Sequence, residues 1–263
     1  MAETILGSPL LLATLGSLAA GLMTAVGAAP VLAWRKPGEA GRDAMLGFAA
    51  GVMLSAAFFS LIVPAIEAAE GRWGPGLGPP AVAALGILLG MGAVALLNEW
   101  LPHEHFDSGP EGPQARTRRR IWLFVAAIAI HNLPEGLAVG VAFAAGGLEG
   151  GLPLAIGIGL QNAPEGLAVA VALRGVGYRR RDAFGVAALT GLIEPVGGLA
   201  GALVLAASAA LLPWALAFAA GAMLYVISHE IIPETHAGGH QRRATAGLGL
   251  GLVAMMVLDV WLA

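Results

Sequence analysis

Long apolar runs separated by short polar stretches set the layout of this chain. A bilayer core takes about 20 apolar residues per helix. Segmented on that basis, the pattern predicts eight spans, at about 9–34, 45–67, 79–101, 121–145, 152–173, 183–210, 212–234 and 244–262. The first run is longer than the core of a cleaved signal and has no basic leader, so it reads as a retained helix. Connections are short except 102–120, "PHEHFDSGPEGPQARTRRR", which is charged, rich in Gly and Pro, and predicted to be a mobile cytoplasmic loop. A single transmembrane domain, 1–263, is expected.

Composition agrees with that segmentation. The chain is 57% hydrophobic and 12% charged, against about 25% charged in soluble domains. The expected class is an all-α polytopic membrane protein whose partner is the lipid bilayer and not nucleic acid. Without cysteine there is no disulfide, thiolate site or cysteine nucleophile. Trp34, Trp73, Trp100, Trp214 and Trp261 fall near predicted span ends, as an aromatic belt requires. Charge placement orients the spans. Thirteen of the fourteen Lys and Arg residues lie in the odd-numbered loops, with Arg72 alone in an even one. By the positive-inside rule the odd loops are cytoplasmic and both termini extracytoplasmic.

Internal echoes refine the architecture. "HNLPEGLAVGVA" (131–142) in the fourth span returns as "QNAPEGLAVAVA" (161–172) in the fifth. "FAAGVML" (48–54) in the second span returns as "FAAGAML" (218–224) in the seventh. A weaker echo joins "ALLNEWL" (95–101) to "MVLDVWL" (256–262), the third span to the eighth. Each pair crosses the membrane in opposite directions. The pattern is an inverted 3+2+3 repeat, which in transporters puts the substrate site near the midplane at the repeat interface.

The doubled motif carries the chemistry. His131 and Glu135 are four residues apart and Asn132 and Glu135 three apart, so Glu135 lies between two polar neighbours on adjoining helix faces. Gln161, Asn162 and Glu165 repeat the arrangement at a similar depth. Pro134 and Pro164 donate no hydrogen bond to the carbonyls of Ile130 and Leu160, and a kink is expected at each. A third irregular place is "IEPVGG", with Glu194 before Pro195. A carboxylate near the bilayer centre costs about 3 kcal/mol on insertion scales, and a divalent cation offsets the repulsion among three of them. Imidazole, carboxylate and amide oxygens suit zinc and other first-row divalent ions. The competing interpretation is a polar network that glues helices together.

With "HNLPEG" and "QNAPEG" on adjacent helices, the chain resembles the ZIP (Zrt/Irt-like) divalent metal transporters, in the bacterial GufA-like branch. The resemblance covers the whole chain. It implies movement of zinc, with cadmium, iron and manganese as further candidates, into the cytoplasm across a bacterial inner membrane. It also implies a homodimer and no organic cofactor. Carried over by position, His131, Glu135, Gln161 and Glu165 match the family's first metal position. Asn132, Glu135, Asn162, Glu165 and Glu194 match the second. Some bacterial relatives have Asp at the place of Asn162, so a fully occupied binuclear site is in question here. Many members have His where Gln161 stands.

Flanking residues suggest a path. His229 and Glu230 in "ISHEIIPETHAGGH" match a family position and are exit-side candidates, followed by Glu234, His236 and His240. In the third loop, "HEH" offers His103, Glu104 and His105; for His103, His105, His236 and His240, metal capture and simple solvation are equally open readings. Asp259 is a candidate entrance residue, while Glu67 and Glu70 could equally be interfacial. An enzyme is not expected. "HEHFD" and "HEIIP" both lack the second histidine of an H-E-x-x-H metalloprotease. The alternative retained is a proton-coupled small-molecule or ion exchanger using the same carboxylates.

Overall fold

The computed structural model describes residues 8–33, 39–100, 113–237 and 239–262. Among them no strand occurs, and seven helical stretches are long and apolar enough to cross a membrane. In chain order the elements are α1 (Pro9–Ala28), α2 (Pro30–Ala33), α3 (Glu39–Ala56), a π-helical turn (Ala57–Ile62), α4 (Val63–Trp73) and α5 (Gly78–Trp100). There follow α6 (Pro113–Gly175), α7 (Arg180–Gly191), α8 (Glu194–Ala207), a 3₁₀ turn (Ala209–Leu211) and α9 (Leu212–Val226). A second π-turn (Ile227–Ile231), α10 (Ile232–Ala237) and α11 (Gln241–Leu262) complete the chain.

α6 is a hairpin of two helices. Gly147, at φ 60 and ψ −142, is its one non-helical residue, a left-handed conformation that glycine adopts without a Cβ penalty. Straight, the 26 residues from Glu135 to Gln161 would span about 39 Å. Their side chains instead meet at 2.5 Å, so the limb before Gly147 (α6a) and the limb after it (α6b) run antiparallel. The backbone keeps helical dihedrals at Pro134 and Pro164, so the expected kinks do not break the helix. The break expected near Glu194 is present: the chain turns at Leu192 and Ile193, and α8 restarts with Glu194 and Pro195. Proline is tolerated there because a first-turn N–H has no intrahelical partner. α6 begins at Pro113, so the predicted loop 102–120 gives way to helix at that residue; 101–112 lie outside the described residues.

Two groups of helices emerge from the closest backbone approaches. In the first, α6a runs parallel to α8: a Cβ on Gly136 would collide with the Glu194 carbonyl, and one on Gly140 with that of Gly198. α1 packs on α6b, where a Cβ on Gly166 would strike the Thr24 carbonyl, and on α7, where Gly21 meets Gly191. In the second group, α3 pairs with α11 and α5 with α9. A Cβ on Gly51 would strike the Leu248 carbonyl and one on Gly251 that of Phe48. In the other pair, Gly221 does so with Ile87 and Gly90 with Phe218. Gly51 and Gly221 hold the same place in the "FAAG" echo, so the two pairs make like contacts at like positions.

Candidate metal centre

The doubled motif meets itself at the hairpin. Glu135 on α6a accepts a hydrogen bond from Gln161 Nε2 of α6b at 2.5 Å. Asn162 Nδ2 donates to Glu194 Oε1 of α8 at 2.6 Å and to the Ala20 carbonyl of α1 at 2.9 Å. Asn132, Glu135, Gln161, Asn162, Glu165 and Glu194 are all buried, none more than 1% exposed. Their approach depends on the glycine in each "PEG". Gly136 lets α6a touch α8 at Glu194, which sets Glu135 beside Glu194. Gly166 lets α6b touch α1 at Thr24, which leaves Asn162 within reach of the Ala20 carbonyl.

Seven oxygens of this cluster have no hydrogen-bond partner: Asn132 Oδ1, Glu135 Oε2, Gln161 Oε1, Asn162 Oδ1, both carboxylate oxygens of Glu165, and Glu194 Oε2. Leaving a buried acceptor unsatisfied costs about 1–3 kcal/mol, more when it is charged. Glu135, Glu165 and Glu194 also act on one another electrostatically. A cation coordinated by these oxygens would offset both penalties. Glu194 lies in the first turn of α8, where the helix dipole favours a negative charge. Among the described residues no three His, Asp or Glu side chains are clustered tightly enough to hold an ion alone. The unpartnered amide oxygens of Asn132, Gln161 and Asn162 stand beside the carboxylate oxygens in this cluster.

The side chains of His131 and Glu230 lie outside the described residues, as do those of Glu234 and His236 and the whole of His103, Glu104 and His105. His229 is exposed and stacked on Tyr225, ring centroids 5.0 Å apart. Glu67 and Glu70 are exposed. His240, a candidate for metal capture, is 3.0 Å from buried Asp43 and ties the start of α11 to α3. Asp259 is half-buried and accepts a hydrogen bond from Ser60 at 2.7 Å. A Cβ on Gly157 would strike Met255 Sδ. Gln161 lies one turn beyond Gly157 on α6b and Asp259 one turn beyond Met255 on α11. α11 runs parallel to α3 and α6b parallel to α1; with α1 and α3 crossing in opposite directions, Asp259 would lie about 12 Å along the axis from Gln161, toward the Gly147 end.

Sequence reasoning missed Ala20, Ser60 and Asp43. The Ala20 contribution is a backbone carbonyl in an apolar helix, and nothing in its residue type signals it. Asp43 stands at the margin of an apolar run, where polarity is ordinary, and Ser60 is a hydroxyl inside one, which a helix can satisfy on its own carbonyls.

Known proteins bear on this geometry. A family model described as "ZIP Zinc transporter" matches residues 101–259. The chain is 48% identical over 244 residues to zinc transporter GufA of Myxococcus xanthus, covering 93% of this chain and 96% of that one. It is 49% identical over 247 residues to zinc transporter ZIPB of Bordetella bronchiseptica, covering 94% and 80%. Human zinc transporter ZIP11 is 36% identical over 331 aligned positions, covering 95% and 97%. With its paired "HNLPEG" and "QNAPEG" facing each other across one hairpin, this chain belongs to the ZIP zinc transporter family, as a GufA-like member.

Proposed function

We propose that this protein carries divalent metal, zinc foremost and cadmium, iron or manganese as further candidates, into the cytoplasm. The observation that carries the proposal is the buried oxygen cluster on α6a, α6b and α8, seven of whose acceptors have no protein partner. The ligands are His131, Asn132, Glu135, Gln161, Asn162, Glu165 and Glu194, with Glu135 and Glu165 central. His229 and Glu230 serve metal exit and Asp259 its entry. The hairpin contributes two crossings, making eight in an inverted 3+2+3 order with both termini extracytoplasmic. Matched glycine contacts in the α3–α11 and α9–α5 pairs support that order, and the arginine-rich odd loops support the orientation.

Alternating access is the mechanism that fits. Every ligand belongs to the group formed by α1, α6, α7 and α8, while the candidate entry and exit residues belong to the other group. Motion of the first group against the second exposes the metal first at the Gly147 end and then at the opposite one. This partition differs from a central pair framed by the three helices before it and the three after. α1 and α8 travel with the hairpin because they are joined to it by backbone contact and by Asn162.

Proteoliposomes loaded with a chelating dye test the reading. Glu135→Ala and Glu165→Ala are each expected to cut zinc uptake by more than about tenfold while the protein still purifies as a folded species. Wild-type flux in either variant would overturn the site. Proton flux that these variants abolish, with no metal uptake by the wild type, would favour the exchanger instead.

A further inference from the structure

Two short π-helical turns interrupt the second helix group, and they occupy equivalent places. Ala57–Ile62 begins nine residues after Phe48 of "FAAGVML", and Ile227–Ile231 begins nine residues after Phe218 of "FAAGAML". Burial repeats with them. Met53, Ala57, Leu61 and Ala65 are buried along one helix, and Met223, Ile227, Ile231 and Thr235 along the other, every fourth residue in both.

An α-helix does not sustain such a ladder. At 3.6 residues per turn each step of four advances the buried face by about 40°, so three steps carry it about 120° around the axis. A π-turn accommodates one extra residue, equivalent to about 100° of α-helical rotation, and takes up most of that drift. The π-turns therefore hold one face of each helix against the core and set the direction of the side chains within and beyond them. In the first turn the polar side chain so directed is Ser60, which reaches Asp259 of α11 at 2.7 Å. In the second, Ser228 donates back to the Tyr225 carbonyl at 3.1 Å, while His229 is exposed and stacked on the Tyr225 ring.

We infer that the two π-turns are matched positioning elements of the metal path, one aiming Ser60 at Asp259 on the Gly147 side and the other presenting His229 at the opposite mouth. The inference rests on the transport reading above. Collapse of the first turn to α-helix would swing Ser60 about 100° away from α11.

Deleting Phe58, which is 47% exposed and so leaves little void, removes the extra residue. The chain has no native cysteine, so a Ser60→Cys/Asp259→Cys pair reports the geometry. With Phe58 present the pair should form a disulfide on oxidation, and with Phe58 deleted it should not. The deletion, made without the cysteines, should lower zinc uptake more than about tenfold while calorimetric zinc binding to the central site stays within about twofold. Phe58→Ala should leave cross-linking and uptake unchanged. Cross-linking or near-normal uptake in the deletion variant would overturn the inference. A second measurement needs no deletion. Single cysteines at 57–62 and 227–231 are labelled with a thiol reagent, and zinc should slow labelling at Ser60→Cys and His229→Cys but at neither Leu61→Cys nor Ile231→Cys. Absence of zinc protection at both polar positions would also overturn it. Failure of wild-type zinc uptake would instead sink the transport reading itself.

Discussion

Asn162 carries one negative charge fewer than a carboxylate in its place, and its amide nitrogen already makes two hydrogen bonds, to Ala20 and to Glu194. Only Oδ1 remains for a metal. Asn162→Asp would remove both donated bonds and set a second carboxylate against Glu194, a repulsion that an added cation relieves. The variant should bind more zinc per chain than the wild type by elemental analysis and unfold at lower temperature in chelator. An unchanged metal count would show that position 162 does not set stoichiometry. In the proposed site, protons would compete with metal for the oxygens of Glu135, Glu165 and Glu194. Zinc affinity measured by calorimetry should therefore fall as pH drops from about 7.5 to about 5, and a flat profile would count against carboxylate ligation. The residue types of the cluster were legible in the sequence because a polar group inside an apolar run is conspicuous. The Ala20 carbonyl was not, because every residue has one.

At the scale of elements, the glycine after each central glutamate decides what the helix can touch. Gly136→Val would drive a branched side chain into the Glu194 carbonyl and push α6a off α8. Overpacking of this kind costs about 1–3 kcal/mol. The variant should show a lower melting temperature and weaker zinc binding together, since Glu135 and Glu194 separate as the helices part. Gly41→Ala, at a position with open space around its Cβ, should change neither. Helix identity was readable from hydropathy, and the break before Glu194 from its proline. At Pro134 and Pro164 the helix continues with helical dihedrals. The start of α6 at Pro113 was missed. Gln, Ala and Arg are good helix formers, and the charge of "QARTRRR" hid that preference.

For the whole molecule, the grouping of helices has a direct consequence. A disulfide between Gly157→Cys on α6b and Met255→Cys on α11 would lock one group to the other. One between Gly86→Cys on α5 and Ala217→Cys on α9, where a Cβ on Gly86 meets the Ala217 side chain and not a backbone carbonyl, would join helices of a single group. The first cross-link should stop zinc uptake reversibly, with recovery on reduction, and the second should leave most of it. Equal loss in both would argue against motion between the groups.

Hydropathy, arginine placement and the doubled "NxPEGLAV" are properties of neighbouring residues. They made the membrane class, the helical spans and the central acidic pair visible along the chain. Partner choice is different in kind. Ala- and Gly-rich helices are nearly interchangeable in hydropathy, so no periodicity says that α1 packs on the hairpin while α3 pairs with α11. Those choices follow from which backbones can approach within contact distance once all the helices are present. The same holds for the π-turns, since a ladder of buried residues every four positions exists only when neighbours define what is buried.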